Sequence, residues 1–109
     1  MMKLVTAIVS HEDADKLMNA LVKAGFPVTR MGSTGGFLRR GNATLIAGVD
    51  DEAIEEVLAM IRRMCRARTE TVLPPPIMAP TPGYIPTPVE VRVGGAVIFV
   101  TNVEHFEKT

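Results

Sequence analysis

Twice in this chain an apolar, β-branched stretch runs directly into a helix with acids in its first turn, and this repetition constrains the fold more than any other feature. KLVTAIV at residues 3–9 stops at Ser10 and continues as SHED, whereas ATLIAGV at 43–49 continues as DDE at 50–52. The two units echo each other, with AIVSHE at 7–12 corresponding to AGVDDE at 47–52. In the first unit, Ala14, Leu17, Met18, Leu21 and Val22 repeat at helical spacing behind Ser10 as N-cap, with Asp13 at the third helical position. Gly25 is placed to end that helix in a left-handed conformation. In the second, the helix starts at Asp50; Ile54, Val57, Leu58, Ile61, Met64 and Cys65 form its stripe, and Arg62, Arg63 and Arg66 crowd its end, where cations suit the helix dipole.

PVTRM at 27–31 reads as a second short strand between these units. Beyond Arg66 the periodicity collapses, and seven of the eight prolines fall within 74–88, so 66–88 is expected to be one long Pro-rich loop without a strand. VEVRV at 89–93 then alternates, Gly94 and Gly95 suit a two-residue turn, and AVIFV at 96–100 is apolar on both faces, which predicts a C-terminal hairpin. The order predicts a single α+β domain over 1–109: a ferredoxin-like split βαβ sheet with two helices on one face, plus the long loop and the hairpin. The other face of the sheet would lack a cover. Association of subunits through it is the expected remedy for a chain of 109 residues.

Twelve Lys and Arg balance twelve Asp and Glu, which argues against coating DNA, RNA or an anionic membrane by bulk electrostatics. Cys65 is the only cysteine, so neither an intrachain disulfide nor a thiolate metal cluster can form, and a reducing cytoplasm fits. His11 and His105 have no companions at metal-ligand spacing, and the longest apolar run is far shorter than the roughly 20 residues of a membrane span. The expectation is a cytoplasmic protein without metal or membrane insertion.

Chemistry converges only in the glycine-rich stretch 33–42, STGGFLRRGN. Its glycines let backbone amides approach an anion, Arg39 and Arg40 with nearby Arg30 could pair with phosphate, Phe37 could cover a base, and the Asn42 amide matches the adenine edge. A connection whose Phe37 and Leu38 tuck into the core, with solvated arginines, fits the same residues. Neither GxxxxGK[ST] nor a GxGxxG after a strand is present. Arg62, Arg63, Arg66 and Arg68 read as a helix-end cluster, and no His-Asp or Ser-His pairing marks a nucleophile.

The run STGGFLRRGNATLIAGV after a β-α-β opening, followed by a long loop and YIPTPVEVRVGGAVIFV with a final EHF, resembles the PII-like cyclic di-AMP receptor proteins of bacteria over nearly the whole chain. The resemblance implies a homotrimer that binds cyclic di-AMP in clefts between subunits, performs no catalysis, needs no cofactor, and signals through its loops (33–42 and 66–88) to an unknown downstream protein. By position it implies ligand contacts at Thr29, Gly36, Phe37, Leu38, Asn42, Gly48 and Phe99. Pro27 stands where members of the family commonly carry a ligand-contacting arginine, Thr87 replaces an aromatic, and the chain ends EKT without one. ATP or ADP therefore stands as an alternative ligand, with a nucleotide-hydrolysing enzyme a more distant one.

Overall fold

In the computed structural model, residues 1–33, 41–73 and 87–109 are described. The elements are β1 (Met2–Ser10), α1 (His11–Lys23), β2 (Thr29–Ser33), β3 (Asn42–Asp50), a 3-10 turn (Asp51–Ala53), α2 (Ile54–Met64), β4 (Arg68–Val72), β5 (Val89–Val93) and β6 (Ala96–Asn102). Four strands form an antiparallel sheet in the order β2-β3-β1-β6, the split βαβ arrangement expected from the repeated unit.

β1 is paired on both edges, with β3 over nine residues and with β6 over seven. Because strand side chains alternate, Val5, Ala7 and Val9 fall on one face with Ala43, Leu45, Ala47 and Val49 of β3, and these residues are buried. Leu17 and Leu21 of α1 and Val57, Met60 and Ile61 of α2 close the same core, so both helices cover this face. Val22 falls off the buried stripe and is 56% exposed.

α1 ends as Gly25 dictates. With φ of 94°, Gly25 donates to the Val22 carbonyl at 3.0 Å while Phe26 donates to Leu21 at 2.9 Å, the paired bonds of a Schellman cap. Its start differs from the expectation for an N-cap: the Ser10 hydroxyl donates to Asp13 Oδ2 at 3.1 Å and does not cap a backbone amide. Asp13 is itself buried, so its carboxylate takes the donor that would otherwise be available to solvent.

Two expectations are corrected. Residues 89–93 and 96–100 do not form a hairpin with each other: β5 pairs with β4 in a separate two-stranded ribbon, and β6 pairs with β1. Gly94 and Gly95 both have positive φ, at 80° and 91°, but the Gly95 amide donates to the Cys65 carbonyl at the end of α2, so the bend passes the chain from the ribbon to the main sheet. Residues 66–88 are also not one structureless loop, since Arg68–Val72 is strand β4. RTETV carries too little apolar character to betray a strand that is exposed along most of its length. The proline-rich residues 74–86 lie outside the described residues.

Leu17 is fully buried, and Leu17→Ala should lower the free energy of unfolding by about 2–5 kcal/mol, through lost burial and the cavity left behind. Val22→Ala should change it by no more than about 0.5 kcal/mol, as expected of an exposed position. Chemical denaturation of the two variants beside wild type checks the core assignment.

Candidate functional site

Four of the seven residues singled out by sequence are described, and the strand register puts all four on one face of the sheet, opposite the helices. Thr29 pairs with Ile46, Ile46 with Thr6 and Thr6 with Phe99, so Thr29 and Phe99 end one transverse row. Asn42 and Gly48 have the same parity on β3 as Ile46 and therefore share its side. Between them lie Leu4, Thr6, Ile8 and Val97, all partly buried, with Met31 45% and Phe99 49% exposed. Gly36, Phe37 and Leu38 lie outside the described residues, as do Arg39 and Arg40.

The four do not converge on a point. Three strand spacings separate Thr29 from Phe99, roughly 14 Å, and six residues of β3 separate Asn42 from Gly48, roughly 20 Å. Small-ligand sites are concave. Spread this far over one sheet face, the four described residues do not by themselves enclose a small ligand.

Asn42 is the most unusual residue on this face. It is the first residue of β3, it is only 2% exposed, and its Oδ1 accepts no hydrogen bond among the described residues. A buried amide oxygen without a donor is unfavourable by roughly 1–3 kcal/mol, so a ligand amino group there would be favoured. The residue fixed opposite it by register is Ser10 of β1 on one side and Ser33 of β2 on the other. Gly48 is exposed beside Met2; a Cβ added there would lie 3.3 Å from the Met2 sulfur.

Arg30 is not available to this face. Its row runs through Leu45, Ala7 and Ile98, on the helix side, and its guanidinium pairs with Asp15 while Nη2 lies 3.3 Å from His11 Nδ1. His11 in turn packs over Gly41: a Cβ there would meet the imidazole at 2.5 Å, and the His11 amide donates to the Gly41 carbonyl at 3.1 Å. The backbone just before Asn42 is thus held against the start of α1.

Sequence reading missed a second polar cluster. Arg68 does not belong with the helix-end arginines but starts β4, where Nη2 bonds Asp13 Oδ1 at 3.0 Å and Nη1 lies 3.3 Å from Oδ2. Locally Asp13 reads as the third helical position behind the Ser10 cap and Arg68 as part of a helix-end cluster; with the two 55 positions apart, no local pattern links them. The hydrogen bond to Asp13 raises the Arg68 pKa above its ordinary value. Cys65 lies behind this pair, and burial first, then the Asp13 charge, push its thiol from 9.0 up to about 11. It is a neutral core thiol at physiological pH and a poor nucleophile. Among the described residues, no three His, Cys, Asp or Glu side chains are grouped to hold a metal ion, and no helix is long and apolar enough to cross a membrane.

The Cys65 shift carries a pH signature. Between pH 9 and about 11 the unfolded thiol loses its proton while the folded one keeps it, so this group's stabilisation is complete below 9 and is lost as pH rises through 11. Denaturation midpoints across that range should fall more steeply in wild type than in Cys65→Ala.

A family model of cyclic-di-AMP receptors matches residues 2–109. Among solved structures, a functionally unknown protein from Pediococcus pentosaceus ATCC 25745 is 34% identical, with a TM-score of 0.79 over 99% of this chain and 97% of that one. The match over residues 2–109, essentially the whole chain, together with the shared fold, leads to one assignment: the chain belongs to the cyclic-di-AMP receptor family.

Proposed function

We propose that this protein is a non-enzymatic receptor that binds cyclic di-AMP against the helix-free face of its sheet and passes the binding event to a downstream protein. The observation that carries the reading is Asn42: a buried side chain, on the face shared with Thr29, Gly48 and Phe99, whose oxygen lacks a donor among the described residues. In this reading the Asn42 amide pairs with an adenine edge, Phe99 lies against a base and the Thr29 hydroxyl bonds the ligand. The four described residues are too widely spread to enclose a nucleotide by themselves, so in this reading a neighbouring subunit of a cytoplasmic homotrimer supplies the opposing wall. Signalling follows if ligand affinity differs between two arrangements of the loops.

A second reading, another adenine nucleotide such as ATP or ADP, is favoured by one finding. Pro27 offers neither charge nor amide donor, and Arg30, the nearest described arginine in sequence, is engaged with Asp15 and His11 on the other side of the sheet. Arg30 does not replace the missing guanidinium.

Isothermal titration calorimetry of the protein with cyclic di-AMP, with ATP, ADP and cyclic di-GMP as comparisons, separates the readings. The expected result is saturable binding of cyclic di-AMP at one per subunit, weakened about tenfold or more in Asn42→Ala by loss of a paired amide, with the oligomer unchanged. Saturable binding of ATP or ADP alone would establish the second reading. Equal affinity of Asn42→Ala and wild type for cyclic di-AMP would remove Asn42 from the site.

A further inference from the structure

The ribbon of β4 and β5 is the one described element outside the main sheet and its helices. A two-stranded ribbon is marginal by itself in water, and this one exposes Val72 and Val89 at one end while burying Val93 at the other. It is held at its root, where Arg68 faces Val93 in the register.

At that root the chain builds a polar knot. The Arg68 guanidinium meets both oxygens of Asp13, at 3.0 and 3.3 Å, and Nη1 also donates to the Arg66 carbonyl at 3.2 Å. Asp13 accepts a further bond from the Ser10 hydroxyl, and Glu70 Oε1 lies 3.5 Å from Arg68 Nε. The bend leading out of β5 is fitted to the same group: a Cβ on Gly94 would lie 2.5 Å from the Arg66 carbonyl oxygen and 2.7 Å from Arg68 Nη1. Ser10 and Asp13, Arg68, and the Gly94 backbone come from three separate places in the chain. They meet where the ribbon leaves the body.

We propose that the Asp13–Arg68 pair is a latch that fixes the β4–β5 ribbon to the first turn of α1, and that opening it frees the ribbon while the four-stranded sheet stays folded. An apolar plug would hold the ribbon without fixing its angle, whereas a planar guanidinium on a carboxylate sets direction as well as distance. The exposures of the partners fit a latch: the Arg68 side chain is 31% exposed and can be taken over by water, while the Asp13 side chain is 2% exposed and keeps Ser10 as a donor when Arg68 departs. The Asp13 and Arg68 side chains meet at the first turn of α1, and the latch rests on these contacts without any bound nucleotide.

Hydrogen exchange of backbone amides tests it in ligand-free protein. In Asp13→Asn, which keeps the shape and removes the charge pairing, and in Arg68→Lys, which keeps the charge and loses the fork, amides of 68–72 and 89–93 should exchange about tenfold faster. Those of β1 and β3 should keep their wild-type rates. Ribbon amides exchanging at wild-type rates in both variants would overturn the latch. So would equal acceleration in β1 and β3, because the pair would then support the whole fold and not the ribbon. Should Asp13→Asn fail to fold, Arg68→Lys decides by the same comparison, with Ser10→Ala as a milder variant expected to accelerate the ribbon less.

Discussion

Everything in this molecule is referred to the central strand β1. It is bonded along both edges, and because its side chains alternate, its register with β3 and β6 decides at one stroke which residues of three strands meet the helices. A slip of one residue would turn Val5, Ala7 and Val9 away from Leu17, Leu21, Val57 and Ile61. The same register assembles the opposite face, where Thr29, Ile46, Thr6 and Phe99 form one row. Core and candidate binding surface are two sides of a single pairing decision.

The second constraint is electrostatic. Asp13 is buried near the N-terminus of a helix, a position the helix dipole favours for an anion but that hydration alone could satisfy only if the residue were exposed. Burial demands partners, and the structure supplies a hydroxyl and a guanidinium. Such pairs add little net stability, because desolvation offsets much of the attraction, yet breaking one leaves an uncompensated charge. The effect is to specify where β4 starts relative to α1, at the point where Gly94 and Gly95 turn the chain from ribbon to sheet.

The helix-free face has the complementary character. It combines aliphatic side chains and threonines with one buried amide, and it exposes Met31 and Phe99. Membership in the cyclic-di-AMP receptor family gives the chain a ligand class, and the proposed function rests on the buried amide of Asn42 on this face. The arginine nearest the face in sequence is turned to the helix side by strand parity, so cationic contacts to phosphate have to come from elsewhere than Arg30.

The sequence by itself determined the elements whose signals are local. Alternation and helical spacing placed β1, α1, β3 and α2 to within a few residues, the glycine after α1 announced its cap, and the repeated unit implied the split βαβ sheet with helices on one face. It also singled out Asn42 from its amide, and Thr29, Gly48 and Phe99 only through resemblance, because nothing in their spacing says that the four share a face. Tertiary structure alone decided the partners of the last three strands. Gly94-Gly95 has the torsions of a hairpin turn and yet joins two sheets, because β6 gains a place beside β1 with Ala96 and Ile98 against the core, while β5 finds its partner in a strand too polar to be recognised. The Asp13–Arg68 pair is of the same kind. Periodicity and turn chemistry act over a few residues, whereas strand edges and buried charges are satisfied by whichever group the folded chain brings within reach.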